Sequence, residues 1–340
     1  MSVSNTPMKH LVLLLAAIAT FPLTVRGQAS DDAVLRTAHF AFYSDPATNA
    51  HDQLIAVAVA RRANQPGPLT ADEQACFDKL PAASRTAWTR AADDYIAAAS
   101  SNLQRLYERM DLAGLIRGDD VKDPADQLFL RQWRALLDAA TPAYRQCRWP
   151  AQDRLNRQWI VHVQGLLAIY ERDLGNRLPE LFAAPWAGLP FRVDVVNVGT
   201  PLGANSANRD EPPTLHILAS STNRLNQGPA ALETVFHEAT HFLSMPSSPL
   251  AVALRKAAAD TGVTPPADIV HQVHFAITGE AVRRAFAARG VTYAPSLVAL
   301  KLFSDEFRDA ASRTIPAYLD GRRTLDQTAA DLVAVLPSRR

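Results

Sequence analysis

The stretch Asn226-Gln227-Gly228-Pro229-Ala230-Ala231-Leu232-Glu233-Thr234-Val235-Phe236-His237-Glu238-Ala239-Thr240-His241-Phe242-Leu243-Ser244-Met245-Pro246 decides how this chain is read. Gly228 suits a helix N-cap, and Pro229 suits the first helical position. Met245 precedes a proline and resists helical dihedrals, which sets the end. Between these limits Ala231, Val235, Phe236, Ala239, Phe242 and Leu243 recur at helical spacing as a buried stripe. His237 and His241 then stand one turn apart on one face, to one side of the stripe. Two imidazoles so placed suit a single Zn²⁺, and Glu238 beside them suits a general base acting on water. The bland alternative is a core helix whose two histidines are hydrogen-bonded neighbours.

Upstream, the pattern is helical. Ala-rich amphipathic runs cover residues 52–64, 82–109, 124–140 and 151–174, separated by breakers at 65–68, 114–123 and 141–142. Trp133, Trp149 and Trp159 read as packing residues of this half. The pattern changes near Pro185. Residues 191–198 and 214–220 are enriched in β-branched and apolar side chains and read as strands. Residues 199–213, rich in Gly, Asn, Pro and Asp, read as a loop. A further helix is expected over 265–289, capped by Thr264 and ended by Gly290, and a last helical region over 296–334. The fold class is therefore α+β and mostly helical, with a helical region (30–185) followed by a catalytic region (186–340) holding a small sheet and the His-Glu-x-x-His helix.

Composition narrows the partners. Hydrophobic residues make up 48% of the chain, charged residues 20%, and the formal net charge is +1. The arginine pairs are scattered, so no basic face points to nucleic acid. Residues 1–29 read as a signal peptide: Lys9 and His10, an apolar run from Leu11 to Leu23, and Gly27-Gln28-Ala29 before Ser30. A retained membrane anchor is the alternative. With the leader removed, no stable membrane span is expected, and the location is secreted or periplasmic. In such a compartment Cys76 and Cys147, the two cysteines of the chain, are expected to pair.

The combination of His237-Glu238-x-x-His241 with Thr278-Gly279-Glu280-Ala281 resembles the gluzincin-type zinc metallopeptidases, thermolysin-like in the broad sense, over roughly residues 190 to 290. The metzincin continuation is absent, since Ser244 and Ser247 stand at its Gly and third His positions. The resemblance implies a zincin-like catalytic region, Zn²⁺ held by His237, His241 and Glu280, and a peptide or protein substrate. It also implies a substrate-pairing edge strand, for which 214–220 is the candidate. Gly279 would let the Glu280 helix approach closely. Two features depart from the family: a longer gap between His241 and Glu280, and Arg284 where an acidic residue is usual.

Metal-assisted hydrolysis by this set also needs a donor for the developing oxyanion. His271, His274, Tyr293 and Tyr318 are candidates. His271 and His274 fall on other faces of their helix than Glu280. Asp268, Asp305 and Glu233 are candidates to orient the ligand histidines. Two other functions stay open: a non-proteolytic metal-dependent amidase, and a zinc-binding protein without catalysis.

Overall fold

The computed structural model describes residues 33–65, 69–106, 124–199, 203–210 and 213–336. The expected signal peptide lies outside them. The described chain is mostly helical with one mixed five-stranded sheet. It opens with strands β1 (Leu35–Arg36) and β2 (Phe40–Tyr43), so the expected helical region begins with two strands. Helices α1 (Pro46–Arg62), α2 (Ala71–Asp78), α3 (Ala82–Leu106), α4 (Pro124–Cys147) and α5 (Trp149–Phe182) follow. Pro142 lies inside α4, where a break was expected.

Strands β3 (Phe191–Val196), β4 (Ala204–Asp210) and β5 (Pro213–Ser220) complete the sheet in the order β1-β2-β3-β5-β4. β3 pairs parallel with both β2 and β5, whereas β4 runs antiparallel along β5. Two expectations are corrected here. Residues 204–210 are a strand, not part of a loop. The edge strand is β4, while β5 lies inside the sheet between β3 and β4. The segment Ala-Asn-Ser-Ala-Asn-Arg-Asp lacks the β-branched and aromatic side chains that mark a strand, so pairing with β5 outweighs its weak propensity.

Phe40, Phe42, Phe191, Val193, Val195, Leu215, Ile217 and Ala219 form one face of the sheet and are at most 2% exposed. They pack with α5 and with α6 (Ala230–Thr240), whose stripe of Ala231, Val235, Phe236 and Ala239 is sealed in the same core. Helices α7 (Pro249–Thr261), α8 (Ile269–Ala287), α9 (Ser296–Ala299), α10 (Asp305–Leu319) and α11 (Leu325–Ala334) finish that core. α7, capped by Ser248 and closed by Gly262 at φ 67°, was not expected from the sequence.

A second core belongs to α1–α4, with Trp88, Tyr95, Leu137 and Tyr144 at its centre and Trp133 and Trp149 against it. Cys76 of α2 and Cys147 of α4 are joined there by a disulfide, Cα atoms 5.5 Å apart. The two cores do not divide at residue 185: β2 and α5 belong to the sheet's core, so the chain enters it first, leaves through α1–α4 and returns. No described helix is long and apolar enough to cross a membrane.

Candidate metal centre

α6 begins at Ala230, after Gly228 at φ 58° and Pro229 already in helical dihedrals. Its last turn tightens into a 3-10 turn over His241–Ser244 and stops at Met245, ahead of Pro246. His237 and His241 project from this end toward α8. There they meet two more histidines, His271 and His274, so four imidazoles pack together. His271 Nε2 lies 3.2 Å from His237 Nε2. Nitrogens of His237, His241 and His274 lie within 4.8 Å of one another, a set that could hold a metal ion.

Burial makes these rings neutral. It drives the His237 and His274 values well below the ordinary imidazole range, and proximity of the other histidines adds to the shift. His241 is pushed down to about 3 by burial and by His271. His271 is lowered by burial, against a smaller opposing pull from Asp268. Neutral imidazole is the form that ligates, and a nitrogen donor set suits Zn²⁺ or another transition metal better than Mg²⁺ or Ca²⁺.

Glu238 is 6% exposed, and burial raises its carboxyl to about 7, with Ser206 of β4 pulling the other way. Its Oε2 is buried without a hydrogen-bond partner among the described residues and lies 3.8 Å from His241 Nε2. An orphaned carboxylate oxygen beside neutral imidazoles fits a bound cation and a water. The three side chains open onto a cavity of about 500 Å³. Ala204, Asn205 and Ser206 of β4 line one side of it, with His271 and Phe275 of α8 beside the imidazoles. Leu225, Leu300, Leu302 and Phe303 make its apolar wall.

Glu280 is not in the cluster. Its carboxylate takes two bonds from Arg283, at 2.6 and 2.7 Å, and one of 2.8 Å from Arg284, which also reaches Asp320. Burial would raise its value, but the two guanidiniums more than offset this and hold it below the ordinary carboxylate range. The reason is helical phase. His271, His274, Phe275 and Thr278 recur at i, i+3, i+4 and i+7 and form one face. Glu280 falls nearly opposite. The close approach at Gly279 is real but meets other atoms: a Cβ there would lie 3.0 Å from Pro295 Cβ and 3.3 Å from Glu233 Oε1.

The remaining candidates are dispersed. Tyr293 donates to Glu233 at 2.5 Å, and Tyr318 donates to the Leu181 carbonyl. The carboxylates expected to orient the histidines do not: Glu233 is held by Tyr293 and the Ser296 amide, Asp305 pairs with Arg308, and Asp268 accepts from Gln272. His237 Nδ1 is buried without a hydrogen-bond partner among the described residues. Sequence reasoning missed Ser206, which lies in a segment read as loop, and the wall residues Leu225, Leu300, Leu302 and Phe303. No short-range pattern marks such a wall. Comparisons with protein-family models, with curated proteins and with solved structures found no match.

Proposed function

We propose that this chain is a zinc-dependent hydrolase acting on peptide bonds, with Glu238 as its general base. The observation that carries the reading is the Glu238 carboxylate, buried without a hydrogen bond at Oε2 beside two neutral histidines at the cavity. His237 and His241 would hold the ion, together with a histidine of α8. Zinc, when bound, acidifies water and polarises a carbonyl oxygen.

The chain's own residues do the rest. Glu238 Oε2 takes the proton of the attacking water as the new C–O bond forms, and then returns it to the leaving nitrogen as the amide C–N bond breaks. Burial raises the Glu238 carboxyl and so strengthens it as a base, against which a bound cation would pull. The apolar wall of Leu225, Leu300, Leu302 and Phe303 excludes water and accepts an apolar substrate side chain. A peptide rather than a small amide is favoured by β4, an edge strand that lines the cavity and can take backbone hydrogen bonds from an extended chain. The Cys76–Cys147 disulfide supports an exported location.

The test is hydrolysis of a mixed peptide library by zinc-loaded protein, read by mass spectrometry, with Glu238→Gln alongside. The variant should keep its zinc and lose about 10²–10⁴-fold in rate. Near-full activity in the variant, or no cleavage by the zinc-loaded wild type, overturns the reading.

A further inference from the structure

We infer that the third metal ligand is His271, and that His274, although nearer to the other rings, is a positioning residue. The inference rests on the metal-centre reading above and names its ligand set.

The rings can be tested against the geometry an ion imposes. With a metal–nitrogen bond of about 2.0–2.1 Å and the ring centre about 1.1 Å further back, each centre lies about 3.2 Å from the ion; tetrahedral angles then set the centres about 5.2 Å apart. The centres of His237, His241 and His271 form a triangle of that size: 5.1 Å for His237–His241, 5.2 Å for His237–His271 and 5.1 Å for His241–His271. The 3.2 Å between His237 Nε2 and His271 Nε2 is also near the roughly 3.3 Å expected of two ligands on one tetrahedral ion.

His274 does not fit that triangle. Its centre lies 4.3 Å from that of His237 and 4.4 Å from that of His241. The separations, not the planes, set it apart, since His274 lies 19° from the plane of His237 and His271 lies 20° from that of His241.

The hydrogen bonds agree. His274 Nε2 lies 2.9 Å from the His237 carbonyl, which can only accept, so this nitrogen carries the proton and has no lone pair to give. Thr240 Oγ1 is 2.6 Å from the same nitrogen, and Ser244 Oγ is 3.2 Å from Nδ1. His274 is 0% exposed and takes no part in lining the cavity, whereas His271 does line it. His274 thus ties α8 to the backbone of His237 through Nε2, and its remaining lone pair, on Nδ1, faces Ser244 Oγ.

The experiment titrates metal-stripped full-length protein with Zn²⁺ and, separately, Co²⁺. His271→Ala should weaken Zn²⁺ binding by more than the roughly 10–100-fold that loss of an outer partner costs, and should change the visible Co²⁺ bands. His274→Ala should cost no more than that. His274→Gln, which keeps an N–H for the His237 carbonyl, should restore both affinity and the wild-type Co²⁺ spectrum. Normal affinity and bands in His271→Ala, or a ligand-sized loss in His274→Gln with wild-type circular dichroism, overturns the inference and leaves the hydrolase reading standing. Absence of tight Zn²⁺ binding by the wild type overturns both.

Discussion

Asp194 carries a charge inside the sheet's interior. It is 1% exposed, yet Arg192 grips both its oxygens at 2.8 Å and His216 Nε2 lies 2.5 Å from Oδ2. Arg192 in turn lies over the Tyr43 ring, 3.6 Å from its centroid. Burial alone would raise the Asp194 value; Arg192 and His216 more than offset it and leave it below 3.8. A folded value below the unfolded one means stability that is present above about pH 3.8 and lost as the pH falls through the lowered folded value. Asp194→Asn should therefore cost about 3–5 kcal/mol at pH 7, because it leaves Arg192 short of its counter-charge. The difference from wild type should shrink as thermal melts are taken from pH 5 to pH 2. A difference that does not change over that range would show that the charge is not what Asp194 contributes.

Among the elements, α6 and α8 meet at Gly279. The space a Cβ would need is held by Pro295 and by Glu233, whose carboxylate binds Tyr293 and the Ser296 amide. One junction thus fixes the helix of His237 and His241, its partner helix and the segment leading into the apolar wall. Gly279→Val should lower the melting temperature by an amount equivalent to about 1–3 kcal/mol and weaken Zn²⁺ binding, since it drives α8 from α6. Gly165, in the middle of α5 with nothing within 4 Å of its would-be Cβ, is the control. Gly165→Ala should stabilise by about 0.5–1 kcal/mol, as an open helical site allows. Equal effects at both positions would refute the packing argument. The α6 end was legible because Gly228, Pro229 and Pro246 are local punctuation. β4 was not, because its strand character comes from pairing with β5 rather than from its own residues.

At the scale of the molecule, two cores share one chain, and the four clustered histidines of α6 and α8 belong to the sheet's core. The disulfide belongs to the other, closing a loop with a sequence separation of 71 between α2 and α4. In the chain-entropy account such a loop contributes about 4 kcal/mol. Replacing both Cys76 and Cys147 by Ser should therefore lower the melting temperature of the α1–α4 core. Zn²⁺ affinity should stay within about threefold of wild type, as expected for distant, weakly coupled sites. Calorimetry and a Zn²⁺ titration on the same sample check both halves. A parallel fall in affinity would mean that the cores act as one unit.

The sequence alone determined the helical identity of most segments, the α+β class, the His237–Glu238–His241 arrangement and the pairing available to two cysteines. These depend on periodicity, on punctuation by Gly and Pro, and on spacing within one turn, all of which are local. It also placed Glu280 on a different face of its helix from His271 and His274. Which face turns toward α6 was decided by the tertiary structure. The close approach at Gly279 and the bonds of His274 and Thr278 to Thr240 of α6 turn Glu280 away from α6, to Arg283 and Arg284. A helix's own sequence fixes the angles between its side chains, but its rotation about its axis is set by the apolar area and hydrogen bonds that its neighbours offer.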